Sequence, residues 1–350
     1  MLNQVTIRNF KSLRDVTVDL ERFTVFVGPN ASGKSSILQA MDLLCRLIRV
    51  TDLNRDNELG QYLSRGAKQQ VELIGVSGGQ AYRYRVRSTL AVAAPYHLSH
   101  LNGGGWSVSS DLSATDAKPW TPESAESCPL PDSVVLRLEA SRLVQPGPDP
   151  VKPDSTVMSP DGAGLHSALA SMALNDPDSW QALQTDLRRI IPSIRRLRHT
   201  KAVNIFQPPS LLFDTVGADS LSAAQISEGT LLVLGLLAAL HAHGRPNLIL
   251  LDDLDRGLHP KAQKELITLL RGLLETNPDL QIIATTHSPY MLDCMETNEV
   301  RMTFLKDDGS TLCAPLSSHP DFPKWKDEMT PGEMWSLFGE KWLVEQGVPA

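Results

Sequence analysis

One octapeptide constrains this chain more than any other feature. Gly28-Pro-Asn-Ala-Ser-Gly33-Lys34-Ser35 fits the spacing G-x-x-x-x-G-K-[ST] at every fixed position. Before it stands a compact β-type run, Phe23 to Val27. After it, Ile37, Leu38, Met41, Leu44, Cys45 and Ile48 form one helical stripe between Gly33 and Val50. A strand, a glycine loop and an amphipathic helix therefore follow in order. Glycines let the backbone amides turn inward as a nest for phosphate, and the helix N-terminus adds partial positive charge. The amides of Asn30, Ala31, Ser32 and Gly33 are expected around the phosphates, with Ser36 beside them. Lys34 reaches the β- and γ-phosphates, and the Ser35 hydroxyl is a ligand for Mg²⁺. The expected cofactors are ATP and Mg²⁺.

Hydrophobic alternation extends the same reading. Val5, Ile7, Val16, Val18 and Leu20 alternate with polar neighbours, as in two strands with one buried face. Val71 to Val76 and Ala81 to Val86 flank Ser77-Gly78-Gly79, a hairpin signature. Between Pro95 and Pro160 lie ten of the 24 prolines and the run Gly103-Gly104-Gly105. That stretch reads as a loop-rich insertion holding one strand, Val134 to Leu138. Helical spacing returns from Leu165 to Leu197, broken at Pro177 and Pro192. A helix is expected from after Ser227 to His241, then a buried strand over Asn247 to Leu251, a helix over Lys261 to Leu274 and a second buried strand over Gln281 to Thr285. The fold class this predicts is α/β, with a mixed, mostly parallel central sheet flanked by helices and an antiparallel β lobe.

The Leu248–Leu251 run ends in Asp252-Asp253, where a parallel sheet presents its carboxyl edge to ligand. Asp252 in that position holds Mg²⁺ through water, and Asp253 orients or deprotonates an attacking water. The plainer role for both acids is to cap the loop after a buried strand.

Past these residues the chain resembles the ABC-type ATPase heads of the SMC, RecF and OLD (overcoming lysogenization defect) families. The opening Ile7-Arg-Asn-Phe-Lys11-Ser12-Leu13 resembles the segment before the phosphate loop in those heads. Gln225-Ile-Ser227-Glu228-Gly229-Thr230 occupies the place of the ABC signature. Leu251-Asp-Asp-Leu-Asp255-Arg-Gly257-Leu258-His259-Pro260 resembles the run from Walker B to the D-loop. Thr285-Thr-His287-Ser288-Pro289 resembles the switch-histidine motif. The resemblance implies a homodimer of heads, or a higher oligomer, with two ATPs buried between subunits. Ser227 and Gly229 would touch the γ-phosphate held by the partner head, His287 would sense it in cis, and Lys11 would join the nucleotide contacts. A plain N-cap for Ser227 and a loop role for His287 stand beside those readings.

On this reading residues 1–350 form a single head split in sequence. Residues 1–90 are an N-terminal lobe with the phosphate loop and hairpin, and 91–164 the insertion. Residues 165–215 are a helical lobe, 216–310 carry signature, Walker B and switch histidine, and 311–350 are a C-terminal tail.

The departures from the family pattern bear on chemistry. Asp253 stands where the family has glutamate, and its carboxylate is one methylene shorter. A shortfall of about an ångström at a reacting atom can cost ~100-fold. Slow turnover, or ATP used as a binding switch, is therefore expected as an alternative. Asp255 replaces the second acid of the pattern and Leu254 its proline, and Leu138 to Arg142 resembles the segment after the insertion without supplying a Q-loop glutamine. The heptad arms of SMC proteins are absent. Only 63 residues follow His287, without an Asp-x-Asp cluster, so a nuclease domain of the OLD kind is not expected. The resemblance implies an effector subunit, often a nuclease, in antiphage defence. A RecF-like repair ATPase is the remaining alternative.

Net charge is −7, so any double-stranded DNA contact needs a local patch. Arg188, Arg189, Arg195, Arg196, Arg198, His199 and Lys201 form one, which reads equally as a solvated face paired with acids such as Asp186. Trp325, Trp335, Phe338 and Trp342 enrich the tail in aromatics, as core packing or as a docking surface. The four scattered cysteines argue against a disulfide scaffold. The longest apolar run, Leu231 to Leu240, is ten residues, about half a membrane span. A cytoplasmic protein without membrane contact is expected.

Overall fold

A computed structural model of the chain describes residues 1–47, 71–77, 80–86, 131–145, 158–200, 211–242 and 246–345. Most of the expected insertion, the hairpin's Gly78-Gly79, the end of the first helix and Lys201 lie outside the described residues. The chain divides into two compact units, Met1–Val135 with Pro246–Leu251 and Asn277–Ala350, and Leu136–Arg245 with Asp252–Thr276.

In the first unit, β1 (Leu2–Phe10), β2 (Leu13–Asp19), β4 (Val71–Ser77) and β5 (Gln80–Val86) form an antiparallel sheet in the order β2-β1-β4-β5. Alternation sets its register: Val5 and Ile7 are buried on one face and pair with Val18 and Val16. The central sheet has six strands in the order β13-β12-β3-β11-β10-β6. They are β3 (Phe23–Val27), β6 (Ser133–Leu136), β10 (Leu248–Leu251), β11 (Gln281–Thr285), β12 (Val300–Leu305) and β13 (Thr311–Pro315). β10, β11, β3 and β12 run parallel, and β13 closes the edge antiparallel. β3, β10 and β11 are buried at every residue, which is why apolar residues dominate all three, without interruption in β10. The sheet is mixed and mostly parallel, as the alternation of strands and helices predicts.

α1 (Lys34–Leu47) places Ile37, Leu38, Met41 and Leu44 in one apolar cluster with Val5 and Ile7 of the antiparallel sheet and Leu250 and Ile283 of the central sheet. That shared core fixes where α1, and with it the loop before it, must begin. The buried Gln281 amide joins β11 to β1 and to the link between β2 and β3, donating to the carbonyls of Leu2 and Glu21 and accepting from the Leu2 amide. α7 (Pro289–Leu292), α8 (Phe322–Trp325), α9 (Pro331–Phe338) and α10 (Trp342–Glu345) complete the unit. Trp342 is buried, and the His319 ring stacks on Phe338 at 4.0 Å between centroids and meets Trp342 edge-on.

The second unit holds α2 (Ala140–Leu143), α3 (Leu165–Asn175), α4 (Pro177–Ile190), α5 (Glu228–His241) and α6 (Pro260–Thr276). Beside them, β7 (Ile194–His199), β8 (Leu211–Thr215) and β9 (Ala218–Ser222) form an antiparallel sheet. Helical spacing as far as Leu197 is thus corrected: α4 ends before Pro192 and a strand follows. A register shift between Ile194 and Arg196 in the pairing with β8 explains the deceptive period, because one extra residue in a strand puts Ile194 and Leu197 on the same buried side.

Candidate functional site

In the first unit the phosphate loop leaves the carboxyl end of β3, between two elements whose packing is settled by the core. Ala31 (φ +62°) and Gly33 (φ +100°) lie in the left-handed region, in a stretch that opens with Gly28 at φ +152°. This reversal of backbone sense makes an anion nest. A Cβ on Gly28 would stand 2.2 Å from the Thr303 carbonyl oxygen, so only glycine fits there. Ser32 is buried and its hydroxyl bonds Thr303 Oγ1 at 2.6 Å, which anchors the loop to β12, while its amide donates to the Pro29 carbonyl at 3.3 Å. Lys34 is buried, and its Nζ donates to the Gly28 carbonyl (2.9 Å) and the Pro29 carbonyl (2.8 Å). Ser35 and Ser36 are half-buried, Asn30 and Ala31 exposed, and α1 has no acid in its first turn to compete with an anion. The residues of this loop fit a nucleotide polyphosphate.

Lys11 sits in the turn between β1 and β2 with φ +53°, and its Nζ donates to Gln39 Oε1 on α1. The neighbouring Ser12 accepts from Thr311 Oγ1, whose side chain also fills the space a Cβ on Gly33 would need. Thr303 and Thr311 therefore shape the loop from β12 and β13. Sequence reasoning missed both, since a threonine in a strand carries no motif.

β3, β11 and β10 run in parallel, with Ala284 level with Val25 on one side and Leu251 on the other. Their carboxyl ends therefore share one edge of the sheet. His287 leaves β11 at that edge, exposed between the buried Thr286 and Ser288, and the Ser288 amide donates to Thr286 Oγ1 at 3.0 Å.

In the second unit, Asp252 has a side chain only 3% exposed, and its amide donates to the Leu136 carbonyl at 3.0 Å. Arg137 Nε stands 3.7 Å from its carboxylate. Arg137 is a residue the sequence did not single out. Asp253 is half-buried with φ +54°, and its carbonyl accepts from the Arg256 amide. The Asp255 and Leu258 carbonyls both accept from the buried Gln263 Nε2, which pins the loop to α6.

Ser227 is the N-cap of α5, accepting from the Thr230 amide at 3.4 Å with its hydroxyl 2.8 Å from Thr230 Oγ1, so the capping role is realised. Ser227 and Glu228 are exposed. Gly229 packs backbone on backbone against Gly257, and Arg256 pairs with Glu228 at 2.9 Å, which brings the signature and the D-loop into one surface.

The basic patch is partly spoken for. Arg198 grips Asp214 with two bonds of 2.7 and 2.6 Å, holding that carboxyl down at about 2, and Arg189 pairs with Glu265 at 3.2 Å. Asp186 bonds His241 instead of an arginine. Arg195 and Arg196 are exposed on β7.

Known proteins bear on this arrangement. Residues 1–73 match a family described as "AAA ATPase domain", and residues 141–293 one described as "AAA domain, putative AbiEii toxin, Type IV TA system". The chain is similar to the Septu protein PtuA of Bacillus thuringiensis, 44% identical over 69 residues, which are 20% of this chain and 17% of that protein. It is also similar to the "Retron Vc95 probable ATPase" of Vibrio cholerae serotype O1 biovar El Tor, 32% identical over 71 residues, 20% of this chain and 13% of that one. The chain thus matches less than a fifth of the length of these curated relatives. Among solved structures it resembles an Smc head bound to the C-winged helix domain of ScpA, with a TM-score of 0.60 at 15% identity over 90% of this chain and 98% of that one. Among the described residues no helix is long and apolar enough to cross a membrane.

Proposed function

We propose, from the premise that this chain is an ATPase head of the SMC type assembled from AAA-family domains, that it binds and hydrolyses ATP and controls a partner effector in antiphage defence. The observation that carries ATP binding is the loop Gly28–Ser35, nested between a fully buried parallel strand and the N-terminus of α1. Its amides and Lys34 hold the polyphosphate, with Lys34 exchanging the Gly28 and Pro29 carbonyls for phosphate oxygens. Ser35 of the first unit and Asp252 of the second would each be available as a ligand for Mg²⁺, which when bound would neutralise charge on the β- and γ-phosphates. Asp253 orients the attacking water, and His287, exposed at the shared strand edge, contacts the γ-phosphate.

Two heads pair with two ATPs between them. Ser227 and Gly229 support this reading, since they lie at the N-terminus of α5, where the acid of the first turn, Glu228, is already paired with Arg256. Likeness to a Septu protein and a retron ATPase supports the defence role and an effector subunit, a nuclease among the candidates. A second reading, ATP as a binding switch with little turnover, is favoured by Asp253, whose carboxylate is short and whose backbone is left-handed.

Steady-state ATP turnover with and without duplex DNA, with Lys34→Ala as blank, tests the proposal. Turnover above the blank and an ATP-dependent rise in mass by light scattering are expected. Turnover at the blank's level with ATP still bound selects the switch, and no ATP binding refutes both.

A further inference from the structure

We infer that α9 is the positioning element for His287: Thr330 and Gly332 hold the turn that carries the imidazole. The inference rests on the reading of His287 as the γ-phosphate contact.

His287 is followed directly by α7, a single turn of four residues, too short to keep a fixed place by its own hydrogen bonds. From below, the turn is tied to the sheet. The Thr286 amide donates to the Phe26 carbonyl, and Met291 and Leu292 are buried. From above, α9 locks it. Thr330 Oγ1 donates to Asp293 Oδ1 at 2.7 Å. Gly332 is buried so close to α7 that a Cβ there would stand 2.3 Å from the Pro289 carbonyl oxygen and 2.3 Å from Asp293 Oδ1. Pro289 is two residues beyond His287, so whatever moves Pro289 moves the imidazole.

α9 is built to stay in place. Thr330 and Glu333 form a capping box, Pro331 occupies the first turn, and Met334 is fully buried. The clamp therefore joins one stiff helix to one short, dependent turn. A segment of the tail fixes a residue at the strand edge where the phosphate loop also begins.

The test uses the full chain with His287→Ala, Gly332→Ala, Thr330→Val and the His287→Ala/Gly332→Ala double variant. Affinities for ATP and ADP with Mg²⁺, and steady-state turnover, are measured on each. ADP needs only the phosphate loop, so its affinity is expected to stay within about twofold in every variant. His287→Ala and Gly332→Ala are expected to lose turnover by about tenfold or more, since displacement of a reacting group by ~1 Å costs up to ~100-fold. They should lose preference for ATP over ADP to the same extent, and the double variant should be no worse than either. A helix that merely supports the fold would lower melting temperature and leave the ATP-to-ADP ratio alone.

Gly332→Ala and Thr330→Val at parental turnover and preference, with His287→Ala impaired, overturn the inference and spare the reading of His287. Parental values in all variants, His287→Ala included, remove that reading and this inference together. If Gly332→Ala loses ADP binding as well, Thr330→Val, which removes one hydroxyl, decides by the same criterion.

Discussion

Arg137 and Asp252 face each other across 3.7 Å with unequal shares of solvent, the carboxylate side chain 3% exposed and the arginine 62%. A wet arginine is a weak partner, worth about 1 kcal/mol or less. It therefore balances the acid without competing strongly for it. A divalent cation that takes Asp252 has to displace that charge. Arg137→Ala is expected to lower the Mg²⁺ concentration that half-saturates ATP binding by about threefold. A Mg²⁺ titration of fluorescent-ATP binding reads this directly. An unchanged or higher requirement would show that Arg137 is no rival of the cation.

Asp253 occupies a backbone with φ +54°, where aspartate and asparagine are tolerated and longer side chains are disfavoured by about 1 kcal/mol. This gives a local reason for aspartate where the resemblance leads one to expect glutamate. Asp253→Asn keeps shape and conformation and removes the charge, so turnover should fall by about 100-fold with melting temperature nearly constant. Asp253→Glu should lower the melting temperature by a few degrees, and it restores turnover only if reach outweighs strain. Parental turnover in Asp253→Asn would remove this residue from the chemistry.

What was legible follows from which residues speak for themselves. β3, β10 and β11 were readable because strands buried on both faces are short and dominated by apolar residues, and the loop at Gly28 because its glycines and lysine have one spacing. Ser227 was readable as a cap because capping is local. β7 was not, because its bulge gives a strand the three-residue repeat of a helix. Arg137, Thr303 and Thr311 stayed invisible because their roles come from contacts between distant segments. The same holds for Gly332, whose meaning depends on Pro289 lying against it.

Lys34 is buried with its ammonium on two carbonyls of its own loop. Charge-assisted bonds to phosphate are about twice as strong as neutral ones. Lys34→Ala should therefore weaken ATP binding by about 100-fold or more while a cooperative melt persists, because the shared core of α1 does not include this side chain. Calorimetric titration of ATP, paired with a circular-dichroism melt, separates loss of the contact from loss of the fold.

His199 gives the second unit a pH-dependent contribution to stability. Its ring lies 5.2 Å from His166, nearly edge-on, and 5.3 Å from Trp180. Burial, helped by the neighbouring His166, pushes it from 6.5 down to about 4. Between those values the folded unit keeps the ring neutral while the unfolded chain takes a proton. The unfolded state then binds more protons, so stability rises with pH in this window and is lost as pH falls from 6.5 towards 4. Asp214, held at about 2 by Arg198, acts lower. Its contribution is whole above 3.8 and is lost only as pH falls from there to about 2. The two groups therefore separate by window. Comparing melts at pH 7 and pH 5, the parent should lose about 3 °C more than His199→Phe, which has no proton to take up. Equal losses in both proteins would show that the ring is protonated in the folded unit at pH 5.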